Sequence, residues 1–541
     1  MMQATKICLA LTEGSLADDL ALLEANRRHI DMVELRADFL DPDEMARMAS
    51  FPRRAGLPAI LAIRRRSDGG HFAGTEGERV ALLERAIAGG WAFVDLEEDL
   101  AAPSLDAAAA RAAVRVIRSF HDFMGVPEEL VARTRRLARN ASELPKAAVM
   151  PRSTRELLAL LDACAELSGL EKILLGMGDW GFPTRILAGR LGSYLTYSTA
   201  GREQAAPGHV DPRSLDELYR VRSISDRTRL FCVVGNPVMH TRSPLIHNTG
   251  YRAAALDACY LPIQLDAPAL FFAVADRLGI EGASVTIPHK ESIIPLLAER
   301  DRFVERIGSC NTLVRLAATD AAAASGRWRG ASVAGAATDV AATPGRWRGA
   351  NTDAPGFLAP LLAAVGDRRG RVGLGLTPLV RASELPLSGM RALVVGAGGA
   401  ARAVVAALLD AGCSVAIVNR TFERAKRLAG ELGCRAEELS AEGLSRLAAA
   451  AGAPFDVIIQ TTSAGMHPNE GEDPIPFYEF RGIEIVYDLV YAPRETRLLA
   501  RAAAAGCRTI GGFEMLLEQA YLQYRLFTGS EFPEEAKAQL T

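Results

Sequence analysis

Over the first 215 residues, short apolar runs alternate with longer stretches whose apolar residues recur at helical spacing. The runs cover 7–11, 32–35, 59–63, 92–96, 114–117, 147–150, 173–175 and 194–197. Eight strand-length runs with helical spacers predict a (β/α)8 barrel over residues 1–215. Such barrels gather their chemistry at the C-terminal ends of the strands. There this chain turns polar, with Glu34 and Arg36, Arg64, His121, Lys146, and Met177 with Arg185 beyond it. Packing alone does not call for charge at those places.

A second α/β pattern begins past a polar, turn-prone stretch. Residues 216–228 read as a linker, and 230–234 as a strand opening a substrate domain over 229–365. The loop after it carries Thr241 and Ser243, two hydroxyls two residues apart, ahead of a helix begun by Pro244. They suit a carboxylate, although an N-cap would look the same. Farther on, the strand 391–395 runs into Gly396-Ala397-Gly398-Gly399-Ala400-Ala401, an amphipathic helix and the strand 415–418. That order builds a Rossmann-type dinucleotide-binding unit, expected over 388–510, with C-terminal helices over 511–541 returning to the substrate domain. Where an acidic residue would bind the ribose of NAD, Asn419-Arg420-Thr421 and then Arg424 offer cations for a 2′-phosphate, so NADP(H) is expected. Two stretches read as solvated insertions. One is 316–348, preceding the motif at Asp353, in which the hexapeptide at 326–331 recurs unchanged at 345–350; the other is the Ala/Gly/Arg-rich 366–387.

Composition narrows the partners. With 62 Lys and Arg against 65 Asp and Glu, the net charge of −3 gives no support for nucleic acid or a membrane surface. No apolar stretch approaches the length of a membrane span, no cleavable signal pattern opens the chain, and the eight cysteines stand singly. A reduced cytoplasm, small-molecule substrates and no metal are expected. Lysine is scarce, six of the 62 basic residues. Arginine cannot become a nucleophile or release a proton near neutral pH, whereas lysine can once its surroundings lower its pKa. Two of the six sit where surface charge makes little sense: Lys146 enters the apolar run 147–150, and Lys290 closes Val285-Thr286-Ile287-Pro288-His289-Lys290. They suggest two active sites in two domains.

The first half resembles type I 3-dehydroquinate dehydratase in Val33-Glu34-Leu35-Arg36, Ile63-Arg64 with Asp68-Gly69-Gly70, Ser119–Phe123, Leu144-Pro145-Lys146, and Thr184-Arg185 followed by Ala206-Pro207-Gly208. The resemblance implies Lys146 as a Schiff-base lysine, His121 as general acid and base, Arg185 as a fork for the substrate carboxylate, and Glu34, Arg36 and Arg64 around the substrate. Asp68 stands where the family has a glutamate that orients the histidine, and it is expected still to accept from the imidazole. Ala205 and His209 replace a serine and a glutamine; His209 either bonds a substrate hydroxyl or faces solvent.

From about residue 229 to 530 the chain resembles shikimate dehydrogenase, in the 235–248 loop, the 285–290 segment, Ser309-Cys310-Asn311-Thr312-Leu313, Asn351-Thr352-Asp353, the glycine turn, Thr461–Met466, Tyr487–Tyr491 and 512–519. This implies Thr241 and Ser243 on the substrate carboxylate, Thr286, Asn311, Asp353, Tyr491 and Gln519 on the ring hydroxyls or the carboxylate, and Lys290 with Asp353 as the catalytic pair. Gly396 through Ala401, Asn419 to Thr421, Arg424, Thr462, Ser463, Met466 and Gly512 fall to the cofactor. Together the resemblances imply dehydration of 3-dehydroquinate followed by NADPH-dependent reduction of 3-dehydroshikimate. A non-catalytic barrel serving as a binding or regulatory module, and quinate as the substrate of the second half, stay open as alternatives.

Overall fold

The eight apolar runs become eight parallel strands: β1 (Lys6–Leu11), β2 (Met32–Arg36), β3 (Ala59–Ala62), β4 (Phe93–Glu97), β5 (Arg115–Asp122), β6 (Leu144–Val149), β7 (Ile173–Gly176) and β8 (Leu195–Ser198). The computed structural model describes residues 5–201, 207–316, 347–366, 387–450 and 454–540. Within them the strands pair in the order β7-β6-β5-β4-β3-β2-β1-β8, and the Lys172–Ser193 bridge brings β7 and β8 together to make a nearly closed barrel. At that seam the buried Lys172 ammonium donates to Leu167 O at 3.1 Å and Gly192 O at 3.2 Å. No described helix is long and apolar enough to cross a membrane.

The chain divides into two compact units, the first reaching Glu281 and the second beginning at Gly282. The first therefore holds more than the barrel. It includes β9 (Arg229–Gly235) and β10 (Ala258–Gln264), parallel neighbours. Residues 216–228, expected as a linker, are packed rather than free. Val221 is fully buried, Tyr219 sits edge-on to Phe182, and Arg222 Nε donates to Asp31 at 3.0 Å. Apolar residues recurring through this polar stretch give it a face to bury, which its turn-rich composition disguised. Beyond it, Thr154 Oγ1 donates to Asp266 at 2.6 Å and Arg277 forks onto Asp162, and the barrel helix Gly178–Ile186 packs against β10.

The second unit takes over inside β11 (Ile280–Val285). β11 pairs antiparallel with β13 (Thr312–Arg315), β13 antiparallel with β14 (Trp347–Ala350), and β14 parallel with β12 (Glu299–Arg300). The expected loop over 316–348 is corrected at its end. Trp347 and Arg348 belong to β14, with Trp347 buried and the Arg315 guanidinium 4.8 Å above its ring. Most of that stretch, including the first hexapeptide copy, lies outside the described residues, as does most of 366–387; Leu387 is already core. The last sheet is wholly parallel, β17-β16-β15-β18-β19-β20, built from β15 (Arg391–Val395), β16 (Ser414–Asn419), β17 (Arg435–Glu438), β18 (Val457–Gln460), β19 (Ile485–Asp488) and β20 (Arg508–Ile510). This is the doubly wound order 3-2-1-4-5-6 that places a ligand at the C-terminal ends of its first strands. Helix Gly512–Thr528 packs on helix Asp353–Val365, where Gly356 has no room for a Cβ beside Gln519.

Candidate active sites

Side chains along a barrel strand alternate between interior and exterior. The interior floor is apolar: Cys8, Met32, Phe93, Ile117, Leu144 and Leu195. Two residues farther along five of these strands the same face becomes Glu34, Asp95, Ser119, Lys146 and Tyr197. A cavity opens above them. All eight barrel residues singled out in the sequence line it: Glu34, Arg36, Arg64, Asp68, His121, Lys146, Arg185 and His209. Gly70 makes the turn after Arg64 feasible, since a Cβ there would lie 2.1 Å from Arg64 O.

Lys146 sits at the floor of the cavity, 5% exposed, with Nζ 2.7 Å from Asp95 Oδ2 and 3.5 Å from Glu34 Oε2. Asp95 also receives Arg64 Nη2 at 2.9 Å and Ser119 Oγ at 2.5 Å. Burial alone would raise its pKa, but the charges of Arg64 and Lys146 hold it well below the usual carboxylate range. His121 is half-buried beside Arg64, whose Nη1 lies 3.3 Å from Nδ1. A guanidinium can only donate, so this contact needs an unprotonated Nδ1. Burial, then the charges of Arg64 and Lys146, push the imidazole pKa well below 6.5, leaving a neutral base at pH 7.

Arg36 is held by a bidentate pair with Asp38 at 2.8 and 2.9 Å. Arg185 differs: it is 2% exposed, and among the described residues its Nε and Nη1 have no partner and Nη2 reaches only Pro207 O at 3.2 Å. Burial lowers it to about 10. A buried guanidinium with half its fork unmatched is built for an incoming carboxylate. His209 is also inside the cavity rather than in solvent, parallel to the Tyr197 ring with centroids 6.0 Å apart. Its Nδ1 has no partner among the described residues, and burial with the charge of Arg185 keeps it neutral. Asp68 corrects an expectation. It accepts from Arg65 Nε at 2.5 Å and Ser67 at 2.8 Å, not from His121, because one methylene fewer leaves its carboxylate within its own turn; Arg64 contacts the imidazole instead. Ala205 lies outside the described residues.

Three functional residues escaped the sequence reading. Asp95 and Glu97 are carboxylates two apart inside an apolar strand, a visible signal of an inward polar face. Glu97 anchors Arg79 at 2.7 Å and Arg64 at 3.5 Å. Tyr197 donates to Glu34 Oε2 at 2.7 Å, and nothing in its apolar run marked it.

In the second unit, Lys290 Nζ lies 2.6 Å from Asp353 Oδ2, with Lys290 19% and Asp353 3% exposed. Asn311 Nδ2 donates to Asp353 Oδ1 at 2.8 Å and to Thr352 Oγ1 at 2.9 Å. Behind it, Gln523 Nε2 donates to Thr312 Oγ1 at 3.1 Å, and Gln523 Oε1 accepts from Ser284 Oγ at 2.8 Å. Gln523 is one helical turn past Gln519, the residue noticed in the sequence. Thr286, Tyr491 and Gln519 are half-buried, and no hydrogen bond joins Thr286 or Gln519 to the pair. In the first unit, Thr241 Oγ1 donates to Ser243 Oγ at 3.1 Å, and Ser243 starts helix Ser243–Ala253 without acting as its cap.

At the end of β15, Gly396 adopts φ +119, and a Cβ there would meet Thr461 Oγ1 at 2.4 Å. Gly398 and Gly399 face open space at the uncapped start of helix Gly399–Asp410, which leaves amides free for a pyrophosphate. Ala400 follows in the first turn, Ala401 is buried against the sheet, and Ala397 packs beside the core. Past β16, Asn419 Nδ2 donates to Thr421 O. Arg420 and Arg424 are exposed and form no ion pair among the described residues, so they remain available to a phosphate. Ser463 and Met466 are exposed and Thr462 half-buried beyond β18. Gly512 is corrected: it is buried, and its Cβ would lie 2.2 Å from Leu489 O, so glycine there serves close packing.

A lysine-centred lyase cavity and a lysine–carboxylate pair beside a dinucleotide fold define a two-site enzyme of lyase and oxidoreductase chemistry. Comparison with known proteins agrees. The family model for Type I 3-dehydroquinase matches residues 7–226, that for the shikimate dehydrogenase substrate binding domain 233–313, that for shikimate/quinate 5-dehydrogenase 380–469, and that for the shikimate 5'-dehydrogenase C-terminal domain 512–536. A chloroplastic bifunctional 3-dehydroquinate dehydratase/shikimate dehydrogenase of Arabidopsis thaliana is 30% identical over 538 residues, 98% of this chain and 83% of that protein. A shikimate dehydrogenase (NADP(+)) of Moorella thermoacetica is 38% identical over 57% of this chain and 90% of its own length. The shikimate 5-dehydrogenase of Thermus thermophilus, solved with NADP(H) and shikimate, is 30% identical over 58% of this chain and 100% of that one, with a TM-score of 0.44. The chain belongs to the bifunctional 3-dehydroquinate dehydratase/shikimate dehydrogenase family.

Proposed function

We propose that this chain dehydrates 3-dehydroquinate in the barrel and reduces the resulting 3-dehydroshikimate to shikimate in the second half. The observation that carries the first reaction is Lys146, buried between two carboxylates under a cavity whose neutral imidazole and open guanidinium face the same space. Arg185 takes the substrate carboxylate. Lys146 condenses with the ketone, and the resulting iminium acidifies the neighbouring C–H. His121, kept neutral, removes that proton and returns it to the departing hydroxyl. His209 and Glu34 are within the cavity to receive substrate hydroxyls.

For the second reaction, Arg420 and Arg424 hold the 2′-phosphate of NADP(H) and the amides at Gly398–Gly399 its pyrophosphate. NADPH, when bound, supplies the hydride. The alkoxide that forms needs a proton, and Lys290, oriented by Asp353 and Asn311, gives it. Thr241 and Ser243 receive the carboxylate, and Thr286, Tyr491 and Gln519 the ring. The experiment is direct: the full chain, given 3-dehydroquinate and NADPH, should release shikimate with one NADPH oxidised per turnover. Accumulation of 3-dehydroshikimate would deny the second activity, and no consumption of 3-dehydroquinate the first. Quinate in place of shikimate in the reverse assay tests the alternative substrate.

A further inference from the structure

The barrel cavity holds a side chain that the chemistry above leaves unused. Tyr197, 5% exposed, donates its hydroxyl to Glu34 Oε2 at 2.7 Å, the same oxygen that lies 3.5 Å from Lys146 Nζ. Its ring centroid is 4.6 Å from Nζ. Strand register makes this reach feasible. Tyr197 and Glu34 stand on β8 and β2, the two neighbours of β1, opposite Cys8 and Ala10. Those two small residues leave space across β1 for the hydroxyl to pass.

The two carboxylates around Lys146 are unlike. Asp95 also holds Arg64 and Ser119, and the surrounding cations keep it strongly in its ionised form against the effect of burial. It is a poor proton acceptor. Glu34 has only Lys146 and Tyr197 as partners among the described residues. We propose that Tyr197 is a positioning residue that fixes the Glu34 carboxylate as proton acceptor for Lys146. The inference rests on Lys146 being the Schiff-base lysine. The ammonium passes one proton to Glu34, and the freed lone pair forms the C–N bond at the ketone carbon. A proton moves from nitrogen to the former ketone oxygen, and Glu34 returns its proton there as the C–O bond breaks. Ammonium plus ketone thus becomes iminium plus water with no net proton exchanged, so the step does not depend on proton loss to solvent.

The test is the rate at which borohydride fixes substrate mass on Lys146 when the full chain meets 3-dehydroquinate between about pH 6 and pH 9. The natural sequence should trap at a nearly level rate. Tyr197→Phe keeps the ring and loses the hydroxyl; its trapping should be about 10-fold slower near pH 7 and should climb with pH, because the proton must then leave to water. kcat for dehydration should fall more than KM rises. Adding Tyr197→Phe to Glu34→Gln should cost nothing further, since both changes remove one device. Dehydrogenase turnover in the same chains reports an intact fold. An unchanged rate and pH profile in Tyr197→Phe, or additive losses in the double variant, overturns the inference. Absence of any Lys146 adduct in the natural sequence overturns the Schiff-base reading instead.

Discussion

The two lysines of this molecule sit in opposite surroundings. Lys146 is 5% exposed and shared by two carboxylates, with Arg64 and Arg185 nearby; Lys290 is 19% exposed and paired with Asp353 alone. The first lysine lies deep in the barrel cavity, where the proposed covalent step would pass its proton to a neighbouring carboxylate. The second is partly open, and a hydrogen-bonded frame of Asn311, Thr352, Thr312 and Gln523 holds the carboxylate while the ammonium stays reachable. Lys172 completes the comparison, since it is buried too but spends its hydrogen bonds on backbone carbonyls. What separates the proposed nucleophile, the proposed proton donor and the structural seam is therefore the partner set, and burial alone does not decide it.

Substitutions that keep charge and remove reactivity test this contrast most sharply. Lys146→Arg should cut dehydration by about 10⁴-fold or more, because a guanidinium cannot form the iminium, while reduction of supplied 3-dehydroshikimate continues; separate assays of the two steps in one preparation measure it. Lys290→Arg should reverse the pattern, slowing reduction by about 10²–10⁴-fold with KM less affected. If that variant loses only substrate affinity, Lys290 is an electrostatic clamp and the contrast fails.

Smaller effects sharpen the electrostatic side. Replacing Arg420 and Arg424 together by alanine should weaken NADPH by about 2–4 kcal/mol in a direct titration, from two charge-assisted contacts that add incompletely. NADH use should change little, and equal loss of both would mean a damaged fold. The mildest expectation is a pH profile. Because burial and the cations of Arg64 and Lys146 push His121 well below 6.5, the imidazole stays unprotonated as pH falls through that value. Dehydratase kcat/KM should then hold level from pH 8 to below pH 6.5, and a break near 6.5 would show an unperturbed histidine.

The polar residues at strand ends were legible because an apolar run that stops at a charge has no packing reason to do so, and the order strand, glycine turn, helix, strand was legible because each piece is local. Asp95 and Glu97 were harder, since an apolar strand hides which face it turns inward until its neighbours are placed. The 216–228 stretch misled because turn-prone composition says nothing of Tyr219 and Val221 finding a surface to bury against.

Local chemistry along the chain thus determined the eight barrel strands, the glycine turn at Gly396 with its paired arginines, and the two lysines worth watching. Tertiary structure alone decided what each lysine touches. Lys146 meets Glu34 across 112 positions of sequence and Lys290 meets Asp353 across 63, and only chain closure makes such pairs. It also decided that Asp68 would turn to Arg65, that Arg185 would be left with an open fork, and that Tyr197 would reach Glu34. Each of those outcomes depends on distances of an ångström or two in the folded chain, where hydrogen-bond energies change steeply and residue type alone carries no coordinate.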